Sequence, residues 1–244
     1  MPLFALFTDF THQGPYLGQL KAALVSGAPG VPVIDLMHDA PPWDPELSAY
    51  LLEPVCRLLP AGVCVLAVVD PGVGSARDSL LLEADGRWFI GPDNGLLEFV
   101  ARRAGARRCF RLPSPSGEVS PSFHGRDVFA PVAARLLAGG PDSLGCAAID
   151  FPWRDLAEDT PRIIYVDGYG NAWTGIRAAM LSDQALLEVN GQTLTRANTF
   201  SDVGRGQAFW YGNSSGLVEL AVNRGRASSV LDISPGDRVR LVRP

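Results

Sequence analysis

Hydrophobic and polar positions in the first 150 residues follow two alternating patterns. Val63–Val69 is a β-branched apolar run without alternation, which is typical of a strand covered on both faces. Leu47, Leu51 and Leu58 recur at helical spacing. The predicted elements are strands over Phe4–Phe10, Val31–Leu36 and Val63–Val69, a hairpin of Leu80–Ala84 and Arg87–Ile90, and helices over Gly14–Ser26, Asp44–Leu59, Asn94–Ala104 and Arg126–Ala138. Such alternation predicts an α/β domain with a mostly parallel sheet.

Near residue 150 the pattern changes, and short strands replace the helical spacing. The dipeptides Asp167-Gly168 and Asn190-Gly191 are hairpin signals. The predicted strands are Arg162–Val166, Ala172–Ile176, Ala185–Val189, Thr193–Arg196, Ala208–Tyr211, Leu217–Val222 and Arg238–Val242. Strands at this spacing predict a small all-β barrel or sandwich. We therefore expect two domains, residues 1–152 and residues 160–244.

Composition narrows the classes of protein further. Of the 244 residues, 47% are hydrophobic and 19% are charged, which is ordinary for a globular protein. The net charge of −5 and the absence of a basic run argue against a nucleic-acid partner. No apolar run approaches the roughly 20 residues of a transmembrane helix, and the chain enters a strand without a leader pattern. We expect a cytoplasmic protein with no membrane partner.

The four cysteines indicate no disulfide framework and no zinc site. Cys56, Cys64, Cys109 and Cys146 include no C-x-x-C pair, and Cys64 lies inside a predicted apolar strand. Buried, reduced thiols are the prediction.

Three polar clusters in the first domain are the main candidates for chemistry. They are Asp70–Gly74 with Arg77 just beyond, Gly91–Gly95, and Phe123–Asp127. Asp70 follows the buried strand, and ligands of open α/β sheets bind at the carboxyl ends of strands. An aspartate beside an arginine is held ionised, and a guanidinium favours bound hydroxide over water. The structural alternatives are a tight turn and an ion pair that stabilises the loop.

Two further residues are predicted at the same edge of the sheet. Asp9 ends the first strand, where its carboxylate either caps the following helix or accepts both hydroxyls of a ribose. His124 stands at a helix entry, and Gly125 lets the backbone approach a ligand. The structural alternative for His124 is a ring that packs on Phe123. Of the three histidines, His124 is the best placed for catalysis.

In the second domain, the segment from Asp167 to Trp173 first reads as a hairpin turn. It also carries the aromatic ring of Tyr169, the amide of Asn171 and the indole of Trp173. These groups are enough to stack on a planar base and to hydrogen-bond its edge. Both readings stay open on the residues alone.

The sequence gives less support to two other enzyme classes, a serine hydrolase and a metal hydrolase. Gly212–Gly216 matches the nucleophile elbow G-x-S-x-G at Ser214, but that class needs a histidine after the serine and none follows His124. A metal hydrolase built from carboxylates and a histidine matches no specific spacing template, and we predict no metal. Its candidate ligands are Asp9, Asp35, His38 and Asp70.

Taken in order, these motifs resemble the S-adenosyl-L-methionine (SAM) hydroxide adenosyltransferases, the adenosine-forming SAM hydrolases related to fluorinase and chlorinase. The resemblance covers nearly the whole chain. The segments that carry it are Thr8–Phe10, Gly14–Lys21, Ile34-Asp35 with His38, Val69–Gly74, Pro92–Gly95, Phe123–Asp127, Asp167–Trp173 and Asn213–Ala227. It implies an N-terminal α/β domain, a C-terminal β-barrel, and a homotrimer with active sites between subunits.

The resemblance also implies roles for individual residues. Asp9 is similar to the residue that binds the ribose hydroxyls, and Asp70, Arg77 and His124 resemble the set that binds and activates water. Tyr169 replaces a phenylalanine near adenine, and Ser215 stands where the fluorinase has an arginine. The implied substrate-binding residues are Asp9, Gly125, Asp167, Tyr169, Asn171, Trp173, Ser214 and Ser215.

The implied reaction is hydrolysis of SAM to adenosine and L-methionine, with SAM as substrate and no cofactor. The fluorinase has Tyr-Ser where this chain has His124-Gly125, and the extra loop of the halogenases is missing, so hydrolysis is favoured over halogenation. A SAM-dependent halogenase and a non-catalytic SAM- or adenosine-binding protein are the alternatives.

Overall fold

Two units, divided between Arg154 and Asp155, make up this chain. The computed structural model describes residues 2–115 and 118–242. Each unit has its own apolar core.

The first unit is a seven-stranded sheet with helices packed on it. Its strands are β1 (Leu3–Thr8), β2 (Val33–Met37), β3 (Val63–Val68), β4 (Ser79–Ala84), β5 (Arg87–Pro92), β6 (Arg107–Arg111) and β7 (Ala147–Ile149). Its α-helices are α1 (Tyr16–Gly27), α2 (Pro45–Cys56), α3 (Glu98–Arg103) and α4 (Ala130–Gly139). The strand order is β2-β1-β3-β5-β4-β6-β7. The predicted α/β character is confirmed.

The sheet is mixed, so the prediction of a mostly parallel sheet is wrong. Parallel pairing joins β1 to β2, β1 to β3 and β3 to β5. Antiparallel pairing joins β4 to β5, β4 to β6 and β6 to β7. The sequence pattern predicts neither β6 nor β7, because β6 reads Arg-Arg-Cys-Phe-Arg and β7 has three residues. Such segments lack the apolar run that marks a buried strand.

The core of the first unit explains why β1 and β3 end where the candidate residues begin. Phe4 and Leu6 of β1 pack with Leu20 of α1 and Ala133 of α4 in one buried cluster. All six residues of β3 are buried. Neighbouring residues of a strand point to opposite faces, so both faces of β3 are covered, as predicted. Polar groups therefore become accessible only past the strand ends.

Helix α2 begins as the sequence predicts. The Asp44 carboxylate accepts a hydrogen bond of 2.9 Å from the Leu47 N–H, which confirms Asp44 as the N-cap. Pro54 lies inside the helix, which ends two residues later at Cys56. A proline removes a backbone donor and crowds the preceding turn, so an early helix end is expected here.

Two antiparallel sheets form the second unit, which confirms its predicted β character. Its strands are β8 (Thr160–Val166), β9 (Ala172–Arg177), β10 (Leu186–Val189), β11 (Gln192–Leu194), β12 (Ala208–Gly212), β13 (Leu217–Val222) and β14 (Arg240–Val242). The orders are β12-β13-β9-β8 and β11-β10-β14. The single-turn helix α5 (Ala227–Val230) is the one α-helix among residues 155–242.

The predicted barrel is not closed by continuous strand pairing in residues 155–242. Single bridges, Arg162 to Arg238 and Arg196 to Trp210, connect the edges of the two sheets. β11 and β14 have three residues each, which is too short to extend these bridges into ladders. The second unit is therefore a pair of bridged sheets.

The cysteines agree with the prediction of reduced thiols. All four are free, and three of them, including Cys109, are buried; the prediction of burial is wrong for Cys146, which is only partly buried. Burial raises the pKa of the Cys109 thiol to about 11. Within residues 2–115 and 118–242, no helix combines the length and the apolar character needed to cross a membrane.

Candidate active site

Asp70 and Arg77 form a two-pronged ion pair at the carboxyl end of β3. Arg77 Nε donates to Asp70 Oδ1 at 2.8 Å, and Nη2 donates to Oδ2. The two side chains are only 4% and 9% exposed, respectively. Arg77 Nη1 also donates to the Asp78 carbonyl at 3.0 Å and to Ser79 Oγ at 3.2 Å. All three nitrogens are engaged, so the guanidinium is held in one orientation.

A glycine brings this loop against the segment that carries His124. Gly74 has φ +80°, and a Cβ added there would lie 2.4 Å from the Pro121 carbonyl oxygen. No other residue type fits both the backbone angle and this close approach. The close approach of this loop to the His124 segment therefore depends on Gly74.

His124 completes the cluster through its ring nitrogen Nδ1. Arg77 Nη2 lies 3.1 Å from His124 Nδ1. A guanidinium only donates hydrogen bonds, so Nδ1 accepts and the proton of the neutral ring is on Nε2. Burial lowers the pKa of His124 below its ordinary value, and the Arg77 charge lowers this pKa further. His124 is therefore a neutral donor at its Nε2 side at neutral pH.

The chain after His124 differs from the predicted regular helix. Gly125–Phe129 forms a π-helical turn before α4 begins at Ala130. Such turns are rare and frequent at functional sites. The Gly125 backbone lies against the rings of Phe10 and Phe123, which would be 3.5 Å from an added Cβ.

Asp9 faces the same edge of the sheet as Asp70. β1 and β3 are parallel neighbours with Thr8 opposite Val68, so the residues that follow them emerge together. Asp9 Oδ2 accepts a hydrogen bond of 3.3 Å from the Trp43 N–H. Burial raises the pKa of Asp9, and the nearby Asp70 charge acts in the same direction. The predicted proximity of the two carboxylates is confirmed.

These residues share a cavity of about 230 Å³, called here the first cavity. Its wall includes Asp9, Asp70, His124 and Gly125, while Arg77 lies directly behind Asp70 and His124. Its aromatic residues are Phe10, Tyr16, Trp43 and Phe123. It thus combines two carboxylates and an imidazole with apolar walls.

Two residues of the cavity wall, Tyr16 and Trp43, were not predicted from the sequence. Tyr16 is 52% exposed and Trp43 is 77% exposed, although both are large aromatic residues at the cavity. Trp43 also has the unusual φ of +59°, which a non-glycine residue adopts at an energetic cost. Trp43 directly follows Pro41-Pro42, and two prolines indicate a turn. An analysis of hydrophobic periodicity does not detect such a turn.

His38 and Asp35 are not part of the wall of the first cavity. The His38 side chain is fully buried, with Nδ1 at 2.8 Å from Thr8 Oγ1 and Nε2 at 2.9 Å from Asp35 Oδ1. Lys21 Nζ binds the other Asp35 oxygen at 2.7 Å. Both ring nitrogens of His38 therefore have hydrogen-bond partners within the fold. In the ranges that the structure describes, no group of three or more His, Cys, Asp or Glu residues is arranged to hold a metal.

A second cavity, of about 780 Å³, lies in the second unit. Its wall includes five residues predicted to bind substrate: Asp167, Tyr169, Asn171, Trp173 and Ser214. Ser215 is not part of this wall, and its N–H donates to Asn213 Oδ1 at 3.0 Å. The wall also contains residues that the sequence analysis did not single out, among them Tyr211, Asn213, Glu219, Arg224 and Arg226.

Asp167 fastens the loop of the second cavity. Its Oδ1 accepts hydrogen bonds of 2.9 Å from the N–H groups of Tyr169 and Asn171. The Tyr169 ring is left 82% exposed at the rim. Both readings of this segment hold at once, because the turn carries an exposed aromatic ring beside a cavity. Ser214 lies in the turn between β12 and β13, not between a strand and a helix, which argues against a nucleophile elbow.

The two units together define a class of protein. An α/β unit presents carboxylates, an arginine and a histidine at the end of its sheet, and a β unit has an amide- and aromatic-lined cavity. Comparison with models of protein families identifies this class. The model of the SAM hydroxide adenosyltransferase N-terminal domain matches residues 4–145, and that of the C-terminal domain matches residues 161–240. This chain belongs to the SAM hydroxide adenosyltransferase family.

Individual relatives agree with this assignment. An (R)-S-adenosyl-L-methionine hydrolase of Thermus thermophilus is 39% identical, with 99% of each chain covered. The protein of that name from Salinispora tropica is 36% identical over 98% of this chain and 97% of its own. A fluorinase of Nocardia brasiliensis is more distant, at 26% identity over 98% of this chain and 96% of its own.

Solved structures match over the same length. An uncharacterized conserved protein from Thermotoga maritima has a TM-score of 0.88 at 28% identity, covering 99% of this chain and 100% of its own. A conserved hypothetical protein from Thermus thermophilus has a TM-score of 0.79 at 37% identity, with the same coverage.

Proposed function

We propose that this protein hydrolyses SAM to adenosine and L-methionine. The observation that carries the proposal is the Asp70–Arg77–His124 cluster, which borders the same cavity as Asp9. Membership in the family and the names of the relatives at 36–39% identity support it.

The reaction is an in-line displacement at the ribose C5′. A water oxygen forms a bond to C5′ while the C5′–S bond breaks, and the bonding electron pair stays on sulfur, which becomes the neutral thioether of methionine. The sulfonium is a good leaving group, so no general acid is needed. The attacking oxygen loses one proton to a base. The enzyme must therefore position one water molecule and exclude others.

His124, Arg77 and Asp70 have different proposed roles toward this water molecule. His124 donates from Nε2 to the water oxygen, because its Nδ1 accepts from Arg77. The Arg77 charge stabilises developing hydroxide. Asp70 accepts the proton, since each of its oxygens takes one hydrogen bond from Arg77 and retains further lone-pair capacity.

Asp9 is proposed to hold the ribose. An ionised carboxylate accepts hydrogen bonds from both the 2′- and 3′-hydroxyls, and the Trp43 N–H fixes one of its oxygens. The exposed rings of Tyr16 and Trp43 would then shield the nucleoside from water. Gly125 allows the substrate close to the backbone beside His124.

The second unit is proposed to bind the remaining parts of SAM. Tyr169, Asn171 and Trp173 would contact adenine, and Asp167 with Ser214 and Ser215 would hold the methionine moiety. Their arrangement around one cavity, with Ser215 adjoining it, supports this assignment. From the family resemblance we also propose a homotrimer whose active sites lie between subunits.

The test is incubation with SAM in halide-free buffer made with ¹⁸O-labelled water. We expect adenosine and methionine in equal amounts, with ¹⁸O in the adenosine 5′-hydroxyl. Unlabelled adenosine would contradict attack on C5′. Intact SAM that turns over only after chloride is added would indicate a halogenase, and bound, intact SAM under both conditions would indicate a binding protein.

A further inference from the structure

Of the three polar clusters in the first unit, Gly91–Gly95 has no part in the wall of the first cavity. It begins in β5 and continues into the segment that leads to α3. In the sheet, β5 lies between β3 and β4, the two strands that the Asp70–Arg77 loop connects. The segment that follows β5 therefore leaves the sheet between the two ends of that loop.

The side chain of Asn94 binds the first end of the loop. Val69 is fully buried and lies one residue past β3, so its carbonyl group needs a partner beyond regular strand pairing. Asn94 Nδ2 donates to this carbonyl at 2.9 Å, and the Leu96 N–H donates to Asn94 Oδ1 at 3.2 Å. Because a carbonyl only accepts and an N–H only donates, these two bonds fix the orientation of the amide.

The backbone of Asp93 binds the other end of the loop. Its N–H donates to the Asp78 carbonyl at 3.0 Å, and the same oxygen accepts from Arg77 Nη1 at 3.0 Å. Ser79, whose hydroxyl also accepts from Arg77 Nη1, lies opposite Pro92 of β5. Two adjacent residues after β5 thus hold both ends of the loop that carries the ion pair.

A glycine brings β5 close enough to β3 for the first of these contacts. A Cβ added at Gly91 would lie 2.6 Å from the Ala67 carbonyl oxygen, a distance that only glycine permits. The register of β3 with β5 ends at the pair of Leu66 and Ile90. Past the strand ends, the Asn94 side chain therefore supplies the link that backbone pairing supplies within the sheet.

We propose that Asn94 is a positioning residue for the catalytic cluster, and that it holds Asp70 in place through the Val69 carbonyl. Arg77 Nη2 donates both to Asp70 and to His124, so a displaced Asp70 draws the guanidinium away from the imidazole. Asn94 does not border the first cavity and acts only through these residues. The inference rests on the proposed function, which assigns the reaction to this cluster.

Two variants of Asn94 remove the donor to Val69 in different ways. Asn94→Asp keeps the size of the side chain and an acceptor for the Leu96 N–H, but it adds a charge. Asn94→Ala stays neutral and removes both hydrogen bonds. An effect that the two variants share therefore reports the loss of the hydrogen bond to Val69.

Asn190→Asp is the matched control, because it removes the same kind of hydrogen bond from the second unit. Asn190 Nδ2 donates to the carbonyls of Leu231 and Asp232, at 3.0 Å and 2.7 Å. An aspartate before Gly191 also suits the hairpin turn at this position. Because Asn190 borders neither cavity, we expect the control to lose stability and to keep its kcat within about twofold.

The first measurement is steady-state kinetics with SAM on the full chain. We expect both Asn94 variants to lower kcat by roughly 10- to 100-fold, because a displacement of about 1 Å is enough for an effect of this size. KM for SAM should change by less than about twofold, since the hydrogen bonds of Asn94 reach no residue that is proposed to bind SAM.

The second measurement, ¹⁵N NMR of the His124 ring, does not depend on turnover. In the unsubstituted protein Nδ1 should give the signal of an unprotonated acceptor and Nε2 that of an N–H, because Arg77 Nη2 donates to Nδ1. Both Asn94 variants should move these two signals toward each other, since a ring without that donor exchanges between its tautomers. A role limited to stability would leave the signals of the folded protein unchanged.

Three outcomes would overturn the inference. One is a pair of folded Asn94 variants with unchanged ring signals, whatever their kcat. Another is an effect of Asn94→Asp that Asn94→Ala lacks, which would report the added charge. The third is an equal loss of kcat in Asn190→Asp, which would report stability alone.

If neither Asn94 variant folds, hydrogen exchange in the unsubstituted protein decides. We expect the NH₂ hydrogens of Asn94 to exchange with solvent more slowly than those of the exposed Asn198, because one of them is bound to the Val69 carbonyl. Equal rates would overturn the inference.

The two measurements separate this inference from the proposed function. If the unsubstituted protein leaves SAM intact and the Asn94 variants alter the ring signals, the positioning of the cluster by Asn94 stands and the proposed hydrolysis is lost. If the protein hydrolyses SAM and the Asn94 variants keep both kcat and the ring signals, only the inference is lost.

Discussion

Arg77 donates a hydrogen bond from Nη2 to Nδ1 of His124 across 3.1 Å. This contact determines which ring nitrogen carries the proton, because a guanidinium has no lone pair to accept one. The same guanidinium pairs with Asp70, so the carboxylate and the imidazole are oriented by one cation. The neutral Nε2–H ring then offers a donor, and in the proposed mechanism the proton of the attacking water goes to Asp70.

The first prediction concerns the pH dependence of turnover. Burial and the Arg77 charge lower the pKa of His124, so the ring stays neutral at pH values where an ordinary histidine is already protonated. Protonation would put an N–H on Nδ1, facing the guanidinium. We therefore expect kcat to be constant above about pH 6.5 and to fall only as the pH drops below this ordinary histidine value.

An NMR titration of the His124 ring checks the assignment, with His124→Ala used to identify its signal. The midpoint should coincide with the acid limb of kcat. Ionisation of Asp9 should instead affect kcat/KM, because its proposed role is in binding. An acid limb of kcat centred near pH 7.5 would contradict the proposed tautomer.

The second prediction is that His124→Ala impairs turnover and not binding. Removing a donor that acts on the attacking water should lower kcat by roughly 100- to 1,000-fold. KM for SAM should change little, since His124 has no proposed contact with the bound nucleoside. Steady-state kinetics measure both values. The control is His12→Ala, because His12 is an exposed histidine that does not border the first cavity; equal effects of the two substitutions would remove His124 from the mechanism.

The third prediction assigns Asp9 to the ribose. Loss of a charged acceptor for two hydroxyls should weaken adenosine binding by roughly 10- to 100-fold in Asp9→Asn. The unsubstituted protein should bind 2′-deoxyadenosine less tightly than adenosine, and Asp9→Asn should lose most of this difference. Calorimetry with both nucleosides measures it. Asp142→Asn, in a 3₁₀ turn away from the first cavity, should behave as the unsubstituted protein does.

Much of the fold was accessible from local sequence signals. The run Val63–Val69 became β3 with nearly the predicted bounds. The Asp85-Gly86 and Asn190-Gly191 turns have positive φ at both residues, at 48° and 74° and at 48° and 75°, which suits the twist of a hairpin. Strands β6 and β7 escaped prediction because they are polar or very short and are stabilised by pairing with β4 and with each other. Local sequence does not reveal such pairing, because the paired strands are far apart along the chain.

The site was predictable only where strand ends determine position. Asp9 and Asp70 follow parallel neighbours and had to emerge together. The contact between Arg77 and His124 spans 47 positions and depends on how two loops pack. Trp43 has no periodic signal. Glu219, in contrast, is marked in the sequence, because a carboxylate within an apolar strand indicates a buried polar network.

The fourth prediction concerns His38, which binds both Thr8 and Asp35. His38→Ala leaves partners of a buried side chain unsatisfied and should lower the free energy of unfolding by about 1–3 kcal/mol. Lys21→Ala is the comparison, since the Lys21–Asp35 pair is exposed and should contribute less than about 1 kcal/mol. Urea denaturation measures both. Equal losses would show that His38 is not a central member of the network.

His38 also makes stability depend on pH. Burial lowers its pKa in the folded state, although Asp35 opposes this, so the unfolded chain binds the proton more tightly. The contribution of His38 is therefore complete above the ordinary histidine pKa of about 6.5 and declines as the pH falls below it. His38→Ala should show a smaller loss of stability between about pH 7 and pH 5 than the unsubstituted protein does.

The last prediction separates the shape of the catalytic loop from its chemistry. Gly74→Ala places a methyl group 2.4 Å from the Pro121 carbonyl at a φ of +80°. Strain at this angle alone costs about 1–2 kcal/mol, and relief of the clash must move the Asp70–Arg77 loop away from the His124 segment. Displacements of about 1 Å reduce catalysis roughly 100-fold, so kcat should fall although every catalytic residue is present. Gly72→Ala is the matched control in the same loop, because its added Cβ meets Ser75 Oγ at 3.6 Å and Asp70 Oδ1 at 3.8 Å, which are both ordinary van der Waals distances. It should keep its turnover within about twofold, since nothing has to move. If both variants were fully active, the Asp70–Arg77–His124 geometry would not be what limits turnover.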